Sequence, residues 1–178
     1  MVRGAHVEHG KTRSLPAHRV PAAFTWPPCC DTVRVPMSEV FCHEFAVVDR
    51  DVDMLGHASN VSVVRWIQDA ALAHSTAVGL DVEAYQRLGA IFIVVRHEID
   101  YVRPAFAGDV LVARTWVPVV QTAKCFRHTT FARKSDDAVL AKAVTTWALV
   151  EFDTGRPKRF TPEVRTAFGW DEAVATGS

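Results

Sequence analysis

From Ile91 to Arg103 the chain alternates, with Ile91, Ile93, Val95, Ile99 and Tyr101 on one face and Arg96, Glu98 and Asp100 on the other. A period of two is that of a half-buried β-strand. Pro104 ends the run, and Gly108-Asp109 turns the chain into a second strand, Val110 to Val119. Two more follow, Lys124 to Lys134 and Val139 to Phe152, parted by the polar turn Ser135-Asp136-Asp137 and closed by Thr154-Gly155. Upstream, Val40 to Val48 reads as a further strand. Asn60 to Val78 contains neither Gly nor Pro and is too long for an ordinary strand, despite Val61, Val63 and Val64, so the pattern predicts a helix. Ser59 or Asn60 supplies its N-cap and Gly79 its stop. Ser62, Arg65, Gln68 and Asp69 form the one clear polar stripe, so this helix is expected to be largely buried. Asp81 to Leu88 forms a short helical piece, and Pro162 starts a short terminal helix at most.

Strand, long helix, then four strands on short turns is an α+β order in which consecutive strands pair antiparallel. One sheet needs its apolar face covered, and the long helix is the element that can cover it. The economical arrangement is a long central helix wrapped by a curled antiparallel sheet. Its edge strands invite pairing with a second copy, so a homodimer is expected, with a dimer of dimers left open.

Composition changes this picture little. At 178 residues the chain is long enough to bury about two thirds of the surface of its unfolded form. Lys plus Arg balance Asp plus Glu at a net charge of zero, which argues against a nucleic-acid or polybasic membrane footprint. Cys29, Cys30, Cys42 and Cys125 include no C-x-x-C, which fits neither a disulfide framework nor a four-ligand zinc site, and we read them as reduced in the cytoplasm. No apolar run approaches a membrane span. Residues 1–36 carry Pro16, Pro21, Pro27, Pro28 and Pro36 with no sustained period, and read as a poorly ordered tail. A disordered appendage, an Arg-containing targeting peptide and sequence upstream of a start at Met37 all fit, and we favour the last. Residues 37–170 form the expected domain and 171–178 a C-terminal tail.

One stretch resists a purely structural reading. "DRDVDMLGHASN", Asp49 to Asn60, crowds three carboxylates into five positions between apolar runs. Asp49, Asp51 and Asp53 match the start of a calcium loop, but Met54 stands where Gly is needed and Asn60 where a bidentate Glu is needed, so no metal is expected. Asp49 and Asp51 suit turn and cap hydrogen bonds. Asp53 lies seven residues ahead of a helix start, and Gly56 permits a tight path between them. A helix start offers unpaired N–H groups and a partial positive charge. Carboxylate and amides facing one carbonyl make an acyl-transfer site, with the carboxylate as nucleophile or general base and an amide stabilising the oxyanion. Thioesters suit it, because a thiol of pKa about 8.5 leaves readily.

The stretch "DVDMLGHASNVSVVRWIQDAA" resembles the 4-hydroxybenzoyl-CoA thioesterase-like branch of hotdog-fold proteins, whose pattern is D-x-D-x-x-G-H-V-N-N followed by a helix with R-W and an acidic residue. Asp51, Asp53, Gly56, His57, Asn60, Arg65, Trp66 and Asp69 fall in register. "YVRPAFAGDVL" is similar to that family's P-A-x-x-G-D-x-L segment, and the resemblance spans about Val40 to Phe160. It implies the hotdog fold, a catalytic carboxylate at Asp53 and an oxyanion donor at the backbone N–H of Asn60. Ala58 and Ser59 replace V-N of the pattern, and Val63 stands where Tyr is common.

His57 suits orienting Asp53, touching substrate or bonding the turn. Arg103, Arg127 and Lys134 are candidates for the phosphates of CoA or a phosphopantetheine carrier, although basic residues beside strands commonly form a solvated face. The expected activity is hydrolysis of an acyl-CoA or acyl-carrier thioester, with no cofactor. A non-catalytic acyl-thioester-binding module and a hotdog hydratase or dehydratase are the alternatives. The segments H-F-P-x-x-P-G and D-x-N-P-x-H of the latter do not occur.

Overall fold

The computed structural model describes residues 40–170; the expectations for residues 1–36 and 171–178 lie outside it. Its elements run β1 (Phe41–Ala46), a single 3-10 turn (Asp49–Asp51), α1 (Asn60–Ala77), α2 (Val82–Leu88), β2 (Ala90–Tyr101), β3 (Val110–Val120), β4 (Lys124–Arg133), β5 (Val139–Glu151) and α3 (Pro162–Ala167). The strands form one sheet in the order β1-β3-β4-β5-β2, and every pairing is antiparallel. This is the helix-in-curled-sheet arrangement that the pattern predicted, the hotdog fold.

Side-chain chemistry sets the element ends. Ser59 caps α1 by accepting from the Ser62 N–H at 3.1 Å, and Asp81 caps α2 by accepting from the Ala84 N–H at 2.8 Å. Gly79 follows α1 at φ +85°, a left-handed conformation that favours glycine.

Two apolar clusters join helix to sheet. In the first, Val63, Trp66, Ile67 and Ala70 of α1 meet Leu111, Ala113, Phe131 and Ala143. Phe45 stands edge-on to Phe131, with ring centroids 6.1 Å apart. In the second, Leu80, Tyr85 and Leu149 meet Phe160, Val164, Phe168 and Trp170. Each large apolar side chain enclosed in this way contributes about 1.5–3 kcal/mol.

One expectation needs correction. Helix α1 buries one flank only: Val61 and Leu72 are 78% and 51% exposed beside Arg65, Gln68 and Asp69, whereas Ser62 of the expected polar stripe is buried. The sheet covers a single side of the helix, and Ser62 is tolerated inside because its hydroxyl donates to the Asp51 carbonyl at 2.9 Å. The short helix expected from Pro162 is α3, and beyond it Phe168 and Trp170 are buried in the second cluster.

Candidate functional site

The acidic stretch folds into a stapled loop. Val52 and Ala58 form an antiparallel bridge, the Asp53 N–H donates to the His57 carbonyl at 2.9 Å, and the Gly56 N–H donates to the Asp53 carbonyl at 3.0 Å. Gly56 sits at φ +81°, which the tight turn demands. The Ala58 N–H donates to the Ala105 carbonyl at 2.8 Å, tying the loop to the β2–β3 connection. Beneath it, Asp51 is 2% exposed. Its carboxylate accepts from Arg65 of α1 and from the Val48 N–H, and its carbonyl accepts from the Ser59 N–H at 2.8 Å. Asp51 thereby fastens the loop to the start of α1.

The three carboxylates do not converge. Asp51 turns inward to Arg65, while the Asp53 carboxylate accepts from the Leu55 N–H at 2.8 Å through Oδ1. Among the described residues no group of three or more His, Cys, Asp or Glu side chains is arranged to hold a metal ion.

Asp53 is about one third exposed, and its Oδ1 lies 3.9 Å from Nδ1 of His57. His57, Ala58 and Asn60 then enter the wall of a cleft of about 300 Å³ whose other walls include Tyr101, Arg103 and Ala105. Asp53 stands outside that wall, on the turn that carries His57 into it. At the start of α1 the Ser62 and Val63 amides are taken by Ser59, which leaves the Asn60 and Val61 amides as first-turn donors with no acceptor among the described residues. The structure thus gathers Asp53, His57, Asn60 and Arg103 at one end of α1. Arg103 also donates to the Val139 carbonyl at 3.0 Å.

The other two basic candidates lie elsewhere. Lys134 is exposed and pairs with Glu44 at 2.6 Å. Arg127 is not on a solvated face: it is 4% exposed, donates through Nη1 to Nδ1 of His74 at 2.8 Å, and lies in the wall of a second cavity of about 780 Å³. Burial pulls its pKa down to about 10. The sequence reading missed this cavity and the roles of Ser75 and Tyr85, whose hydroxyls meet in its wall at 3.2 Å. The available signal was the spacing of Ser75 and Tyr85 on either side of Gly79, which was too generic to single them out.

Solved structures that share the fold include the following three. A 1,4-dihydroxy-2-naphthoyl-CoA thioesterase from Synechocystis is 18% identical, with a TM-score of 0.67 over 73% of this chain and 96% of its own. A DHNA-CoA thioesterase from Staphylococcus aureus is 16% identical, with a TM-score of 0.69 over 76% of this chain and 93% of its own. The S. aureus protein SAV2348, solved in complex with CoA, is 14% identical, with a TM-score of 0.69 over 74% of this chain and 83% of its own. Residues 47–168 match the family described as the thioesterase-like superfamily, a span that runs from the end of β1 through α3 and takes in the acidic loop, and to that superfamily the chain belongs.

Proposed function

We propose that this chain hydrolyses an acyl-CoA or acyl-phosphopantetheine thioester to a free acid and a thiol. One arrangement carries the reading: the carboxylate turn and the open amides of α1 are stapled together through Asp51 at the edge of a cleft. In the reaction, the Leu55 amide holds Oδ1 of Asp53, leaving Oδ2 to take a proton from water. That water attacks the thioester carbonyl, and the Asn60 N–H stabilises the oxyanion, a contribution of about 100- to 1000-fold for one such donor. Collapse expels the thiolate, which takes a proton. Direct attack by Asp53 through an anhydride is the other route its carboxylate permits. His57, beside Oδ1, orients the carboxylate.

Arg103, in the cleft wall, is our candidate for the carrier phosphates, and the CoA complex of SAV2348 supports a CoA-type substrate. Dimerisation is proposed through β2, an edge strand that pairs only with β5 among the described strands and leaves Ile93 and Val95 44% and 51% exposed. The cytoplasm is the proposed location. Among the described residues no helix is long and apolar enough to cross a membrane.

The test is thiol release from short, long and aromatic acyl-CoAs by the purified chain and by Asp53→Asn. A drop of about 100-fold or more with unchanged circular dichroism is expected. Unchanged turnover in the variant removes Asp53 from the role, and binding without release in the wild type turns the reading to a non-catalytic module.

A further inference from the structure

On β4 the buried alternate positions are Cys125, Arg127 and Thr129, and Arg127 meets His74 in the C-terminal half of α1. Arg127 there has two hydrogen-bond acceptors among the described residues, Nδ1 of His74 at 2.8 Å and Oγ1 of Thr115 at 3.3 Å. Both are neutral. Burial and the neighbouring cation depress the pKa of His74 to about 3, and burial raises that of Cys125 to about 12. The guanidinium also lies over the Phe168 ring, 5.9 Å from its centroid. Among the described residues no carboxylate touches it. The two carboxylates in the cavity wall, Asp69 and Asp153, are exposed, and Asp69 leans toward Arg65 at 3.8 Å.

A buried cation with neutral partners is costly, and proteins ordinarily pair such a charge. Two further donors share the deficit. The indole Nε1 groups of Trp147 and Trp170, residues that also contribute to this wall, are buried behind it with no hydrogen-bond partner. A cation without a counter-ion thus borders a cavity of about 780 Å³ whose remaining wall includes Leu72, Ile91 and Phe92. The volume is that of a small-molecule site. A carboxylate offers two oxygens with about four lone-pair directions and meets a guanidinium in a fork.

We propose that this cavity binds an apolar organic anion, with its carboxylate on Arg127 and its hydrocarbon body along Leu72, Ile91 and Phe92. The cavity wall takes α1 residues from Gln68 to Ser75, and His74, which holds Arg127, lies fourteen residues beyond Asn60, so the anchoring cation is about 21 Å along the helix from its start in the same chain. It stands independently of the hydrolase reading. The carboxylate has two sources, a free acid or the far end of a dicarboxylic acyl group.

Calorimetric titration of the full chain with octanoate and with 1-octanol tests the proposal, because the two share a body and differ in charge. Octanoate is expected to saturate one site at least tenfold more tightly than octanol, and Arg127→Met to remove that preference. Equal affinities in the wild type, no saturable octanoate binding, or a preference that survives in a folded Arg127→Met protein overturns it. If the variant fails to fold, the wild-type ratio decides alone. A second arm compares kcat/KM on hexadecanedioyl-CoA and hexadecanoyl-CoA, whose chains are long enough to span that distance along α1. A tenfold preference for the former that Arg127→Met abolishes assigns the carboxylate to the acyl group. Equal rates with tight octanoate binding assign it to the free acid, and either result upholds the anion site. Absence of turnover on both thioesters counts against the hydrolase reading and leaves the octanoate titration to decide this one.

Discussion

Arg127 donates a hydrogen bond to Nδ1 of His74 at 2.8 Å, so a cation and an imidazole share a buried wall, with Phe41 stacked on the imidazole at 4.9 Å. The folded chain keeps that ring deprotonated down to about pH 3, chiefly through burial and then through repulsion from Arg127. In the unfolded chain the ring takes a proton near pH 6.5. Between these values the unfolded state binds more protons, so stability falls as pH falls. The contribution is full above about pH 6.5 and is lost progressively toward pH 3, at up to about 1.4 kcal/mol per pH unit. Denaturant unfolding at several pH values between 4 and 7.5 is expected to show a shallower acid slope in His74→Gln than in the wild type. Identical slopes would assign the acid sensitivity to other groups.

The Asp51–Arg65 pair predicts an asymmetry. Asp51 is buried, whereas the Arg65 side chain is 43% exposed. Arg65→Ala strands a buried carboxylate and is expected to cost about 1–3 kcal/mol. Adding Asp51→Ala to that variant removes the stranded charge, so the double variant should lose less than the sum of the singles. Strict additivity in urea unfolding would mean that the pair contributes nothing as a pair.

His57 and Asp53 are expected to separate kinetically. With 3.9 Å between its ring nitrogen and Oδ1 of Asp53, His57 positions the carboxylate and performs no chemistry in our mechanism. His57→Ala should lower kcat on an acyl-CoA by roughly tenfold, well short of the loss in Asp53→Asn. The acid limb of the pH–rate profile should persist in His57→Ala. Its disappearance would make the imidazole the titrating base.

Charge on the open edge of β2 should prevent self-association. Sedimentation velocity is expected to show a dimer for the wild type and a monomer for Ile93→Lys with Val95→Lys, since two copies of that edge would bring like charges together. A double variant that sediments as the wild type does would move the interface elsewhere.

The sheet was legible because β2 to β5 carry alternation or apolar runs bounded by Pro104, Gly108 and Gly155, whose physics is local. The cap on α1 was legible for the same reason. The facing of β4 was not. In "KCFRHTTFAR" each alternate set mixes polar and apolar residues: Cys125, Arg127, Thr129 and Phe131 against Phe126, His128 and Thr130. Period two cannot choose between such sets, and a cation is naturally assigned to solvent. Only the tertiary arrangement, with His74 and Thr115 as acceptors, turns Arg127 inward. At the candidate site, the loop's special character was visible in the crowding of Asp residues. The division of labour between a buried Asp51 and a half-open Asp53 was not, because it depends on Arg65 lying fourteen residues downstream.

The bridge between Val52 and Ala58 closes the 53–57 turn into a small ring, and Asp51 and Ala105 clamp that ring from two sides. A ring held in this way has little freedom left to surrender when a ligand arrives. Recognition there therefore proceeds against a stiff template, and adaptation to differently shaped guests falls to the exposed Met54 and Leu55 at its tip.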